Sequence, residues 1–85
     1  MAEITDAQLR ACIATVFSVE PSAITDALRP GDIPPWDSLG HLALVSALEQ
    51  QFGMTLSMEE ALAINSIADV RTILATHDIR IVSGG

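Results

Sequence analysis

The segment that follows Thr5 has the spacing of apolar residues that is typical of a helix with one buried face. Its apolar positions recur at intervals of three and four residues, at Leu9, Cys12, Ile13, Val16 and Phe17. Thr5 and Gln8 have the spacing of a capping box, in which each side chain binds the backbone N–H of the other residue. The pattern predicts a first helix that begins near residue 5 and ends before Pro21.

A second helix is predicted from Ser38 to about Gln51, in a run that only Gly40 interrupts. Its apolar positions cover a wide arc, at Leu39, Leu42, Leu44, Val45, Leu48 and Phe52. An arc of this width predicts a central helix that packs against several others, with Leu39 turned to the apolar side. Gly53 is well placed to end this helix, because glycine is the preferred residue just after a helix.

Two shorter helices are predicted after Gly53. Ser57 with Glu60 forms a second capping-box pattern, and Ser66 precedes apolar residues at helical spacing. Before the second helix, residues 18–36 contain four prolines, which predicts a long loop. We expect the loop to be pinned by its apolar residues, which are Ile24, Leu28, Ile33 and Trp36.

These elements predict an all-α fold, a four-helix bundle with a long loop between helices 1 and 2 and a short helix 3. The length of 85 residues fits one domain, 1–85, with a packed core at about 4–77. Residues 78–85 are expected to form a tail. Its "IRIV" stretch has the composition of a strand, but the sequence offers no second strand with which it would pair.

Charge narrows the range of partners. Acidic residues outnumber basic ones by 11 to 4, and the net charge is −7. Nucleic acid and anionic membrane surfaces are therefore excluded as expected partners, and proteins with basic patches are favoured. The sequence shows neither a leader segment with a basic and an apolar part nor an apolar stretch long enough to span a membrane. We therefore expect a cytoplasmic protein. The single cysteine, Cys12, lies on the stripe of the first helix and is expected to be a buried structural thiol.

Ser38 has two possible roles at the start of the second helix. Asp37 or Ser38 could cap the helix, since both residue types are common at that position. Alternatively, the hydroxyl of Ser38 is an attachment point for a phosphate-linked group, because a helix amino terminus stabilises anions. Local chemistry alone favours the cap.

The order of motifs along the chain resembles the acyl carrier protein family. The resemblance covers about residues 4–77 and includes Asp37-Ser38-Leu39 at the start of the second helix, "LVSALEQQFG", "SMEEA" and "INSIADVRTIL". It implies that Ser38 carries a 4′-phosphopantetheine arm, taken from coenzyme A by a phosphopantetheinyl transferase, and that Asp37 and Leu39 flank the attachment site. The implied function is that of a carrier of acyl thioesters and not of an enzyme.

The resemblance also implies contacts with acyl-loading and acyl-processing enzymes. Carriers of bacterial fatty acid synthesis line the second helix with acidic residues, but here that helix has few of them. The predicted partner contacts are Glu49, Glu59, Glu60 and His41. The sparse acidic residues and "PPWDSLGHLALV" are more similar to free-standing carriers of a specialised pathway. We expect a monomer with a narrow set of partners.

Several alternatives remain open at the level of sequence. The chain could carry aminoacyl or peptidyl groups for nonribosomal synthesis, or it could be an unmodified helical docking module. A hydrolase using Ser38 and His41 would need an orienting acid and an oxyanion hole, which the sequence does not indicate. His41 is interpreted as an exposed polar residue, no metal site is predicted with His77, and Gly84-Gly85 is expected to end a flexible tail.

Overall fold

A computed structural model of the chain describes residues 2–83. The first helix, α1, spans Asp6–Phe17, and the predicted capping box of Thr5 and Gln8 is confirmed by hydrogen bonds in both directions. Its buried face consists of Leu9, Ile13, Ala14 and Phe17. Cys12 lies at the edge of this face and is only half-buried, and burial raises the pKa of its thiol. The thiol is therefore held in its protonated, less nucleophilic form.

The long loop between α1 and the second helix is anchored as predicted. It contains one 3₁₀ turn, Pro21–Ala23, and its residues Ile24 and Trp36 are buried in the core. The backbone carbonyl groups of Leu28 and Asp26 accept hydrogen bonds from the N–H groups of Ile67 and Ala68, at 3.0 and 3.1 Å. The loop thus satisfies donors that the start of a helix leaves free.

Three further helices follow the loop. Helix α2 spans Ser38–Phe52 and ends at Gly53, which has the left-handed conformation (φ 64°) that glycine adopts without strain. Helix α3 is short, Met58–Ala63, and begins with the predicted capping box of Ser57 and Glu60. Helix α4 spans Ile67–Thr76 and is capped by the side chain of Ser66. The four predicted helices are therefore present in the described part of the chain.

A two-stranded sheet corrects the all-α prediction. Strand β1, Ala2–Thr5, pairs in parallel with strand β2, Ile79–Val82, so that Ala2 lies opposite Ile79 and Ile4 opposite Ile81. Ile79 is buried in the core, so the expectation of a tail from residue 78 is wrong for 79–82. Strand β2 pairs with β1 at the other end of the sequence, a segment for which the sequence had predicted no strand. Gly84 and Gly85 lie outside the described residues.

The core is one cluster of side chains to which every helix or its flanking residues contribute. Helices α1 and α2 pack against each other, and α4 packs against β2. The most deeply buried large side chains are Leu9, Ile13, Ile24, Trp36, Leu44, Leu48, Ile64, Ile67, Val70 and Leu74. Within residues 2–83 no helix is both long enough and apolar enough to cross a membrane.

Candidate functional site

The start of α2 is fixed by Asp37. Its backbone is extended, and its Oδ1 accepts a hydrogen bond from the backbone N–H of Gly40 at 2.8 Å. Asp37 is therefore the N-cap, and Ser38 is the first residue of the helix. Of the two capping candidates in the sequence, the structure selects Asp37.

Ser38 is exposed at this helix terminus. Within residues 2–83, its hydroxyl has no hydrogen-bond partner, and the cap of the helix is supplied by Asp37. The free N–H groups and the helix dipole give the first turn of α2 a partial positive charge. The site therefore combines an accessible hydroxyl with an environment that favours an anion.

Gly40 allows the loop to cross close to α2. A β-carbon at this position would overlap the backbone carbonyl oxygen of Pro35 and would come within 3.3 Å of the Phe17 ring. Phe17 in turn stacks on Trp36, with ring centroids 5.3 Å apart. The absence of a side chain at Gly40 thus lets the residues that lead into Asp37 and Ser38 pack tightly on the core.

His41 is not the exposed polar residue expected from the sequence. It is half-buried, and both of its ring nitrogens lie within hydrogen-bond distance of a partner. The indole Nε1–H of Trp36 donates to Nδ1 at 3.0 Å, and Nε2 lies 2.7 Å from the carbonyl oxygen of Ala61. His41 therefore connects the end of the loop with α3, a role that sequence reasoning missed.

These contacts also bear on the hydrolase alternative. An imidazole that accepts the proton of a serine needs a nitrogen free for that purpose. Both nitrogens of His41 are engaged, with Trp36 and with Ala61. The other histidine, His77, bonds to the carboxylate of Glu60 at 2.7 Å. Among residues 2–83 no group of three or more histidine, cysteine, aspartate or glutamate residues is arranged to hold a metal ion.

A recess of about 620 Å³ lies next to Ser38. Trp36, Leu42 and Leu62 provide much of its apolar lining, and His41 lines it as well. The recess is open to solvent, and Ser38 is one of the residues that line it. A group bonded to the hydroxyl of Ser38 would therefore meet an apolar wall formed by the loop, α2 and α3.

An apolar surface extends outward from this recess. It consists of Leu39 and Leu42 on α2 and Met58 and Leu62 on α3, which are 78%, 65%, 78% and 73% exposed. The prediction that Leu39 turns to the apolar side is wrong in that Leu39 does not join the core, because the side chains that α2 buries begin only at Leu44. The arc of leucines on α2 is divided between the core, which takes Leu44 and Leu48, and this surface.

The acidic residues predicted as partner contacts differ in their surroundings. The carboxylate of Glu49 accepts a hydrogen bond from the backbone N–H of Leu56 at 2.9 Å. Glu60 accepts from the backbone N–H of Ser57 and also binds His77, and these two contacts lower the pKa of its carboxyl. Glu59 is exposed on α3, where it follows Met58 in the sequence. Contact with partners by these residues stays a prediction.

The family of the segment is shown by a family model described as a phosphopantetheine attachment site, which matches residues 36–74. The match begins at Trp36 and includes Ser38, α2, α3 and most of α4. Residues 36–74 belong to this family, and the resemblance to carrier domains of acyl carrier proteins is confirmed. The family binds 4′-phosphopantetheine covalently, so the predicted cofactor is confirmed as well.

The match indicates a carrier protein and not a catalytic enzyme. A carrier domain acts together with a phosphopantetheinyl transferase and with enzymes that use the carried group. Sequence reasoning missed the contacts that shape the site, namely those of His41 with Trp36 and Ala61. The one signal for them was a histidine at the first turn of the helix, five residues after a tryptophan.

Proposed function

We propose that the protein is an acyl carrier protein and that its 4′-phosphopantetheine arm is attached to Ser38. One observation carries this proposal: Ser38 is the exposed first residue of α2 and lies inside the matched segment. Because Asp37 caps the helix, the hydroxyl of Ser38 is not needed to stabilise the start of α2. We further propose that residues 1–85 form a single carrier domain.

The surroundings of Ser38 fit a phosphodiester. The amino terminus of a helix stabilises a nearby anion by about 0.3–1 kcal/mol at an exposed site. Ser38 lies in the first turn of α2, which is where the effect of the helix dipole is felt. Asp37 uses Oδ1 for the cap, which leaves its second oxygen free to be recognised by the transferase.

Attachment would consume coenzyme A. The hydroxyl oxygen of Ser38 forms a bond to the phosphorus that bears pantetheine, and the pyrophosphate bond of coenzyme A breaks. The adenosine bisphosphate leaves with the electron pair of that bond, and the proton of Ser38 passes to a base of the transferase. The arm supplies a terminal thiol on which acyl groups are held as thioesters.

Partner enzymes would contact the apolar surface formed by Leu39, Leu42, Met58 and Leu62. Helix α2 has one acidic residue, Glu49, and no lysine or arginine, and the carboxylate of Glu49 already binds a backbone N–H. Glu59 remains as an exposed acid on α3, the helix that also carries Met58 and Leu62. We therefore infer that apolar contact contributes most of the binding and that basic patches on partners contribute mainly through the net charge of −7.

The sparse acidic residues of α2 favour a specialised fatty acid, polyketide or related pathway with a narrow set of partners. A carrier of aminoacyl or peptidyl groups would use the same attachment chemistry. The two are distinguished by loading: the arm-bearing protein is expected to be acylated by a fatty acyl ligase and to be a poor substrate for amino acid adenylation domains. The reverse preference would favour nonribosomal synthesis.

The first experiment is the intact mass of the protein after incubation with coenzyme A and a broad-specificity phosphopantetheinyl transferase. Wild type and Ser46→Ala, which changes an exposed serine on the same helix, are expected to gain the mass of one phosphopantetheine. Ser38→Ala is expected to gain none while keeping its far-ultraviolet circular dichroism. An unmodified wild type that is folded would contradict the proposal and would favour the docking module.

A further inference from the structure

Helix α3 is held in place by few contacts of its own. Its six residues include no fully buried side chain, and Met58 and Leu62 face solvent. The core anchors lie just outside the helix, at Leu56 and Ile64. Hydrogen bonds from other elements are therefore important for the position of α3 over the recess beside Ser38.

His41 supplies such a hydrogen bond, and its chemistry fixes the tautomer of the ring. The indole Nε1–H of Trp36 is a donor only, so Nδ1 of His41 must accept from it. Nε2 then carries the proton and donates to the carbonyl oxygen of Ala61, which lies in the last turn of α3. The two bonds are compatible only with the neutral Nε2–H form.

His41 links the three elements that line the recess. Trp36 belongs to the loop, His41 to α2 and Ala61 to α3, and the lining of the recess includes Trp36, His41 and, from α3, Leu62. The rings of Trp36 and His41 are also nearly parallel, at 15°, with centroids 6.3 Å apart. Loss of His41 would therefore release the loop from α3 beside the recess that Ser38 lines.

We propose that His41, as its neutral Nε2–H tautomer, is the positioning residue that holds α3 against α2 and sets the shape of the recess that receives the group carried on Ser38. The part of this inference that concerns the carried group rests on the proposed function. The part that concerns α3 does not, because it applies equally to the unmodified protein.

The first test is nuclear magnetic resonance of the unmodified protein. Ring nitrogen shifts are expected to show a protonated Nε2 and an unprotonated Nδ1 for His41. Trp36 is the only tryptophan in the chain, so the single indole N–H signal reports directly on its bond to His41. A protonated Nδ1, or exchange between the two tautomers, would overturn the proposal.

Three variants separate the two hydrogen bonds. His41→Asn keeps an acceptor near the position of Nδ1, His41→Gln keeps a donor near that of Nε2, and His41→Ala removes both. The exchange of the indole N–H is expected to accelerate about tenfold in the Gln and Ala variants but not in the Asn variant. The amide signals of Ala61 and Leu62 are expected to shift in the Asn and Ala variants but not in the Gln variant.

The matched control is His77→Ala, which removes the other histidine that binds α3. Its contact is with the carboxylate of Glu60, and its side chain does not line the recess. This variant is expected to shift signals around Glu60 while leaving the indole signal of Trp36 unchanged. Equal changes at both hydrogen bonds in all three His41 variants would show that the imidazole only fills space, and would contradict the proposal.

The final test uses protein that carries an octanoyl group on the arm. Attachment is expected to shift the signals of Leu42 and Leu62 in wild type, and by less than about half as much in His41→Ala, because α3 no longer closes the recess. Equal shifts in both proteins would contradict a role in receiving the carried group. A wild-type protein that accepts no arm would contradict the proposed function and would leave the tautomer and the variant results unaffected.

Discussion

Two regions of the molecule use their polar and apolar groups in opposite ways. The first is the contact between the long loop and α4, and the second is the region around Ser38. At the first, Arg71 binds the carboxylates of Asp6 and Asp26, an arrangement called here the Arg71 network. Nearby loop carbonyl groups also accept hydrogen bonds from the first N–H groups of α4. At the second, Ser38 has an unengaged hydroxyl, and four large apolar side chains face solvent.

The difference separates residues that hold the fold from residues that remain available for binding. In the Arg71 network each charged group has a partner within the chain, which leaves little to attract another molecule. Around Ser38 the hydrogen bonds of Asp37 and His41 organise the backbone, while the apolar surface remains uncovered. Exposed apolar side chains grouped next to a recess are typical of an interaction site.

The largest expected effect comes from comparing two leucines. Leu48 is buried at the centre of α2, so Leu48→Ala is expected to lower the free energy of unfolding by about 2–5 kcal/mol. Leu62→Ala, at an exposed position, is expected to change it by less than about 0.5 kcal/mol. Urea denaturation checks both values. Leu62→Ala is also expected to raise the KM of the transferase for the carrier. This KM would stay unchanged if the apolar surface had no part in binding the transferase.

A second comparison concerns the close crossing of the loop over α2. Gly40→Ala is expected to lower the free energy of unfolding by about 1–3 kcal/mol, because the added methyl group overlaps the Pro35 carbonyl. Modification of Ser38 is expected to slow as well, since the displaced loop leads into Asp37. Ala43→Gly, at an exposed position of the same helix, is expected to cost about 0.5–1 kcal/mol with unchanged modification. Equal effects of the two variants on modification would contradict this interpretation.

The Arg71 network is expected to make the free energy of unfolding depend on pH in the acid range. The hydrogen bond from Arg71 lowers the pKa of the Asp6 carboxyl below its ordinary value of 3.8. The contribution of the ionised Asp6 carboxylate to the free energy of unfolding is therefore present above about pH 4 and is lost as the pH falls through the lowered pKa. Arg71→Gln is expected to destabilise the protein by about 1 kcal/mol at pH 7, a value that allows for solvent screening of these partly exposed groups.

Denaturation of wild type and Arg71→Gln between pH 7 and pH 2 checks this expectation. The two free energies of unfolding are expected to converge at the acid end. Arg29→Gln is the matched control, because the Arg29 side chain is exposed and makes no ion pair within residues 2–83. A difference between wild type and Arg71→Gln that is constant over the whole range would show that the carboxylate of Asp6 is not involved.

The smallest expected effect on stability is that of Asp37→Asn. Asparagine caps helices about as well as aspartate, so the free energy of unfolding is expected to change by less than about 0.5 kcal/mol. The rate of Ser38 modification is expected to fall, because the variant removes the free carboxylate oxygen next to the serine. Asp37→Ala loses the cap and is expected to lower stability by about 1 kcal/mol. An unchanged rate in Asp37→Asn would show that Asp37 serves only as a cap.

Features that depend on neighbouring residues were predicted well from the sequence. The capping boxes at Thr5 and Ser57 are confirmed because each joins residues three positions apart. The end of α2 at Gly53 is confirmed for the same reason, since it depends on the conformation of one residue. The anchoring of the loop by Trp36 also followed from its size and apolar character.

Features that depend on distant residues were not predicted. The periodicity of α2 shows which residues share a face but not how far a neighbour covers that face, so the exposure of Leu39 was missed. His41 contacts Ala61 at a distance of 20 residues along the chain, which no local pattern shows. Strand β2 needed a partner strand, and β1 is too short to be recognised from its own residues.

The pairing of β1 with β2 has a consequence for how the protein folds. Ala2 lies opposite Ile79, so this sheet closes a loop that contains all four helices of the described chain. The backbone hydrogen bonds within each helix are local and form in microseconds, whereas β1 has no partner until β2 has been made. At a synthesis rate of about 5–20 residues per second, roughly 4–15 s pass between the synthesis of β1 and that of β2. The sheet is thus expected to be the last element to form, and its closure fixes the chain only after synthesis has passed residue 82.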